Sequence, residues 1–125
     1  MPLNMIRNDI TRMKVDAIVC PTDEMLSGGG GADARIHQAA GPMLDRQCWL
    51  IGGCETGKVV VTDGYDLACR YILHTVGPRW RGGRSKERET LAACYQNVLD
   101  TARVLRCASV AFPLISSGTL GFPGN

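Results

Sequence analysis

The chain has almost no surplus of charge of either sign. Fourteen Lys and Arg stand against twelve Asp and Glu in 125 residues, a formal net charge of +2. No overall field therefore pulls it onto nucleic acid or an anionic membrane, and a charged partner has to be recognised locally. There is no apolar run near the eighteen residues of a membrane span, and Met1 leads almost at once into patterned sequence instead of a basic and apolar leader. The expectation is a cytoplasmic protein with no membrane partner. Six cysteines (20, 48, 54, 69, 94 and 107) are scattered with no C-x-x-C pair, which argues against a zinc knuckle and for reduced thiols that pack as small apolar groups. No G-x-x-x-x-G-K-[ST] occurs, and the first lysine after the main glycine run is Lys58, so a nucleoside triphosphatase is disfavoured. The three-glycine dinucleotide spacing is missing as well. Only two histidines are present, His37 and His74, neither with a serine or cysteine partner at a recognisable spacing, and both read as packing residues.

What is there suits one domain, residues 1–125. A chain of this length buries roughly two-thirds of its unfolded surface, and a hydrophobic fraction of 45% can supply the core. "LNMIRNDI" and "VDAIVCP" read as strands, the second closed by Pro21. "DARIHQAAG" reads as a helix with Asp33 as N-cap and Gly41 as stop, and "PMLDRQCWL" as a second helix ending before Gly52 and Gly53. "KVVVTDGY" and "RYILHTVGP" are β-branched runs that fit adjacent buried strands. In "SKERETLAACYQNVLDTARVLR", Leu91, Cys94, Tyr95, Val98, Leu99 and Ala102 form one helical stripe, and "ASVAFPLI" closes the set as a buried strand. Strands interleaved with helices predict a layered α/β domain with a largely parallel or mixed sheet.

Two bends carry the functional signal. "LSGGGGADARIH" places four glycines between a strand and a helix start, a geometry that aims backbone N–H groups and a helix N-terminus at an anion. "LISSGTLGFPG" opens a second strand end into small residues. Two such loops at strand ends predict a diphosphate held between them.

The blocks "RNDIT", "VDAIV", "GGGGADARIHQAAG", "GCETGKVVVTDGYDL", "YILHTVGP", "LAACYQNVL" and "SVAFPLISSGTLGFP" follow one another in an order that resembles the macro domain family, in the branch similar to MacroD-type ADP-ribose hydrolases. The resemblance covers essentially the whole chain. It implies a three-layer α/β/α fold with a mixed central sheet, here lacking the C-terminal helix and strand portion, so that residues 1–125 form an incomplete macro domain. It implies a partner that is ADP-ribose or an ADP-ribosylated substrate, bound without cofactor or metal. The reactions it implies are hydrolysis of O-acetyl-ADP-ribose, ADP-ribose 1''-phosphate or ADP-ribosylated protein. By the same resemblance Asp9 accepts from the adenine amino group and Ile10 donates from its backbone beside it. Gly29, Gly30 and Gly31 approach the distal ribose and its phosphate, and Asp33 is the catalytic acid that orients water. Ser116, Ser117, Gly118, Thr119 and Gly121 form the diphosphate loop, with Phe122 walling the cleft.

The departures bear on activity. Where related hydrolases read N-A-A-N, this chain has Cys20, Pro21, Thr22 and Asp23. Asp23 thus stands at a position treated as catalytic, replacing a donor and acceptor with an acceptor and adding negative charge near Asp33. Leu120 stands where an aromatic often packs on the distal ribose. A non-catalytic ADP-ribose-binding module is therefore the alternative to a hydrolase. A third reading rests on "PRWRGGRSKER", where Arg79, Arg81, Arg84, Lys86 and Arg88 surround Trp80 as in an RNA-binding patch, although the small net charge favours a solvated loop. If the abrupt end at Asn125 is natural, a second copy in a homo-oligomer or a rearranged first strand is expected to fill the gap in the sheet.

Overall fold

The computed structural model describes residues 3–7, 10–78, 82–84 and 86–113. In chain order the elements are β1 (Asn4–Arg7), β2 (Val15–Pro21), α1 (Gly31–Ala40), α2 (Pro42–Ile51), β3 (Val59–Asp63), β4 (Cys69–Thr75), α3 (Glu87–Val104) and β5 (Ser109–Phe112). The strands form one sheet in the order β1-β5-β2-β4-β3. Its first four members are parallel, with Asn4 beside Ser109, Ala17 beside Val110 and Val15 beside Cys69. β3 joins antiparallel at the edge, Val59 opposite Thr75.

β2 shows why the sheet lies between helices. Its alternate residues point to opposite faces, and both faces are covered. Ile18 and Cys20 pack with Ile72 of β4, Ile36 of α1, and Leu44 and Cys48 of α2. Ala17 and Val19 pack with Leu73 of β4 and with Val98 and Ala102 of α3. A strand buried on both sides reads as a continuous apolar run, as "VDAIVCP" does. Burying each large aliphatic in these layers contributes about 1.5–3 kcal/mol. The architecture is the α/β/α sandwich with a mixed sheet that the sequence predicts.

Element boundaries agree closely with the sequence, with two differences. β3 is half-exposed because it is the edge strand, so its run of valines does not mark a buried one. α1 begins at Gly31, with Gly30 as N-cap and no side-chain capping bond, so Asp33 is not the cap. The glycines let the helix start three residues earlier, which turns Asp33 inward on the first turn. At the other end, Gly41 at φ 94° lets its N–H reach the His37 carbonyl while Pro42 starts α2. All six cysteines are free thiols, four of them buried.

Candidate functional site

Because β1, β5, β2 and β4 are parallel, their carboxyl ends lie along one edge of the sheet. There the end of β2 delivers residues 22–30 to the N-terminus of α1. Asp33, 5% exposed, sits at this junction. Its Oδ2 accepts a hydrogen bond from Thr22 Oγ1 at 2.8 Å and its Oδ1 accepts one from Cys20 Sγ at 3.1 Å. One helical turn on, His37 Nε2 lies 3.3 Å from the same Oδ1, as the i,i+4 spacing allows. Burial alone would raise the Asp33 pKa. The close approach of His37, then hydrogen bonds from Cys20 and Thr22, and the charge on His37 outweigh burial and hold the carboxyl below its ordinary 3.8. The Cys20 thiol shifts the opposite way, pushed well above 9.0 by burial and then by Asp33. The proton therefore stays on sulfur and Asp33 stays ionised.

His37 Nδ1 lies 2.6 Å from Asp45 Oδ1 on α2. Contact with Asp33, then with Cys48 and Asp45, outweighs burial and raises the His37 pKa to about 10. Its ring meets that of His74 edge-on, with centroids 6.2 Å apart. His74 is fully buried on β4, with Nε2 2.8 Å from Thr62 Oγ1 on β3. Burial, then the charge on His37, lowers its pKa to about 4. The two shifts act on stability with opposite signs. A histidine raised from 6.5 to about 10 contributes stability present in full below pH 6.5 and lost as pH rises through 10. One lowered from 6.5 to about 4 contributes stability present above pH 6.5 and lost as pH falls through 4. Urea midpoints measured in metal-free buffer are expected to peak near pH 6.5, the falling limb from there to pH 9 being flattened in His37→Gln. A midpoint that climbs steadily from pH 6 to 9 contradicts this arrangement.

The loop ahead of the helix is fixed by Asp23. Its Oδ1 accepts from the backbone N–H groups of Met25 at 3.0 Å and Ser27 at 3.1 Å, and Oδ2 accepts from the Ser27 hydroxyl. Asp23 is exposed, yet its carboxylate is spent on organising this turn. Gly28, at φ +70°, rests on His37 so closely that an added Cβ would lie 2.9 Å from the imidazole Cγ. Gly29, Gly30 and Gly31 are exposed. The N-terminus of α1 thus lies exposed behind Gly28, Gly29 and Gly30 and has no side-chain cap, which suits an anion.

Among the other expected site residues, Ile10 follows β1 and is buried in the core layer beneath α1 and α2. Asp9, Ser116, Ser117, Gly118, Thr119, Leu120, Gly121 and Phe122 lie outside the described residues, as do Arg79, Trp80 and Arg81 of the basic loop. The structure unites Asp33, Asp23 and Gly29–Gly31 in one loop and helix start. It also adds His37 to them, a residue that the sequence alone presents as packing. The D-x-x-x-H spacing of residues 33 and 37 was the available signal. No local signal existed for His74 and Thr62, which meet through the register of β3 on β4.

Helices on both faces of a mixed sheet, with a glycine loop and helix N-terminus at the carboxyl edge of its parallel strands, define an α/β/α domain. The macro domain family profile matches residues 19–125, and the chain belongs to the macro domain family. A macro domain-containing protein of Methanosarcina mazei is 48% identical over 123 residues, covering 98% of this chain and 66% of that protein. The ADP-ribose glycohydrolase MACROD2 of Mus musculus is 48% identical over 124 residues, 98% of this chain and 26% of that protein. The Oceanobacillus iheyensis macrodomain with ADP superimposes with a TM-score of 0.88 at 39% identity, over 97% of this chain and 67% of that one. The Trypanosoma brucei macrodomain in complex with ADP-ribose gives 0.84 at 38% identity, over 97% and 50%. The chain thus spans about two-thirds or less of the length of these relatives.

Proposed function

We propose that this chain binds ADP-ribose, or a substrate carrying it, along the carboxyl edge of the sheet and hydrolyses the bond at the distal ribose. The observation that carries the reading is a buried Asp33, clamped by Thr22 and Cys20 and set directly behind exposed glycines at an uncapped helix N-terminus. The amides of Gly29–Gly31 and the first turn of α1 receive the phosphate nearest the distal ribose. Asp33 is clamped by Thr22 and Cys20, with His37 alongside, so its carboxylate arrives oriented. A carboxylate of low proton affinity is a poor proton acceptor at neutral pH. Its role is therefore to align the attacking water and to stabilise positive charge that grows at the anomeric carbon. Asp9 and Ile10 are assigned to adenine, Ser116, Ser117, Gly118, Thr119 and Gly121 to the diphosphate, and Phe122 to the cleft wall, as the family resemblance implies. O-acetyl-ADP-ribose, ADP-ribose 1''-phosphate and ADP-ribosylated protein are the substrates to assay.

The second reading, binding without turnover, is favoured by one observation: the Asp23 carboxylate is committed to the amides of Met25 and Ser27. Calorimetric titration with ADP-ribose, beside turnover assays of the parent and of Asp23→Asn, separates the two. The hydrolase reading expects binding and turnover in the parent. Binding with turnover only in Asp23→Asn assigns the parent to the binding module, and no binding in either protein removes both.

A further inference from the structure

Beneath Asp33, three elements each contribute one side chain to a single buried point. His37 comes from α1, Cys48 from α2 and His74 from β4, and one potential ligand atom from each lies within 4.8 Å of the other two. All three residues are buried, at 6%, 2% and 0% exposure. Each histidine has one ring nitrogen engaged and the other without a hydrogen bond. His37 Nδ1 is held by the Asp45 carboxylate at 2.6 Å, which leaves Nε2; His74 Nε2 is held by Thr62 Oγ1 at 2.8 Å, which leaves Nδ1. Those two nitrogens are the only buried side-chain nitrogen or oxygen atoms among the described residues without a hydrogen-bond partner. His37 Nε2 does approach Asp33 Oδ1 at 3.3 Å, but without the alignment of a hydrogen bond. Leaving the fully buried His74 Nδ1 unsatisfied is costly, and His37 Nε2, whose only polar contact is the misaligned one with Asp33, shares the same thiol-lined spot.

We infer that His37 Nε2, His74 Nδ1 and Cys48 Sγ form a binding site for a divalent transition cation of the zinc class. Two imidazoles and one thiolate are borderline-soft ligands, suited to Zn²⁺, Co²⁺ or Cd²⁺ and unsuited to Mg²⁺ or Ca²⁺, which want oxygen. The Asp45 carboxylate and the Thr62 hydroxyl hold the far nitrogens, fixing each ring so that a lone pair faces the cation. Binding forms two N–metal bonds and one S–metal bond. It breaks the Cys48 S–H bond and, where His37 is charged, its Nε2–H bond, the protons passing to buffer. A cation on His37 Nε2 also competes with the Asp33 contact, so occupancy would be felt at the proposed ligand edge. The site itself needs no ADP-ribose, and its test is independent of turnover.

The whole chain, freed of metal with a chelator, is titrated with Co²⁺ and then Zn²⁺. Expected are one Co²⁺ per chain, a thiolate-to-cobalt charge-transfer band with the intense visible bands of tetrahedral cobalt, their loss on adding Zn²⁺, and a rise in melting temperature with Zn²⁺. Cys48→Ala is expected to abolish the charge-transfer band, and Thr62→Val to weaken Zn²⁺ binding about 10–100-fold. Cys94→Ala, which removes a buried thiol bonded to the Val76 carbonyl outside the trio, is expected to keep the band. No charge-transfer band in the parent overturns the proposal, as does a band that persists in folded Cys48→Ala. Should Cys48→Ala fail to fold, Zn²⁺ protection decides: in the unfolding-free parent, Cys48 must alkylate more slowly with Zn²⁺ than without, and equal rates sink the site.

Discussion

Replacing Asp33 by asparagine is expected to lower turnover of an ADP-ribosylated substrate by about 10²–10⁴-fold while ADP-ribose affinity changes by less than about tenfold, roughly 1.4 kcal/mol. The asymmetry follows from what the carboxylate does. Its negative charge is maintained against burial by Cys20, Thr22 and His37, and an amide of the same shape keeps the packing but removes that charge. Phosphate binding draws on the backbone amides of the glycine loop, which this substitution leaves in place. The change also removes the largest influence that raises His37, so the His37 pKa must fall towards its ordinary range. Initial rates, calorimetric titration and an NMR titration of His37 check the three parts separately. An unchanged rate with His37 shifted as expected would show that Asp33 serves the fold and not the chemistry.

Gly64→Ala is expected to destabilise the fold by about 3 kcal/mol or more, at or above the top of the usual range for overpacking, and to lower the melting temperature by about 10 °C or more. A methyl at this position would lie 2.2 Å from the Cys69 carbonyl oxygen, 2.8 Å from its Sγ and 3.0 Å from its carbonyl carbon. Two of those atoms are backbone, at the start of β4, and the Gly64 N–H is already bonded to the Arg70 carbonyl. No rotamer change relieves the clash. The turn between β3 and β4 has to open, and with it the register that brings Thr62 to His74. Gly30→Ala is the matched control, since an added methyl there meets nothing within 4 Å and the backbone is extended at φ 179°. Thermal melts of the two variants are expected to differ widely, and a Gly64→Ala melt equal to that of Gly30→Ala would contradict the packing described for this turn.

The layered fold was legible because its signals are local and agree. Pro21 closes β2, Gly41 and Gly52 end α1 and α2, and the stripe through Cys94, Val98 and Ala102 marks the buried face of α3. The edge position of β3 was not legible, since β-branched residues serve a half-covered strand as well as a buried one. Asp33 reads both as a cap and, by the family resemblance, as the catalytic acid, because its type suits both roles and only tertiary packing turns it inward. Sequence spacing showed nothing of the His37, Cys48 and His74 convergence. Its members come from three elements, and their meeting depends on how α1 and α2 lie on the sheet.

The strand order has a consequence for how the molecule is made. β5 inserts between β1 and β2, and its partner Asn4 precedes Ser109 by more than a hundred residues. During synthesis on the ribosome, β1 has no parallel neighbour and β2 presents a bare flank until β5 has emerged. A nascent chain therefore keeps one side of the sheet open to pairing with other chains until Ser109–Phe112 has been made. Chaperone demand should concentrate in that interval, and truncations that stop short of β5 should aggregate instead of forming a smaller domain.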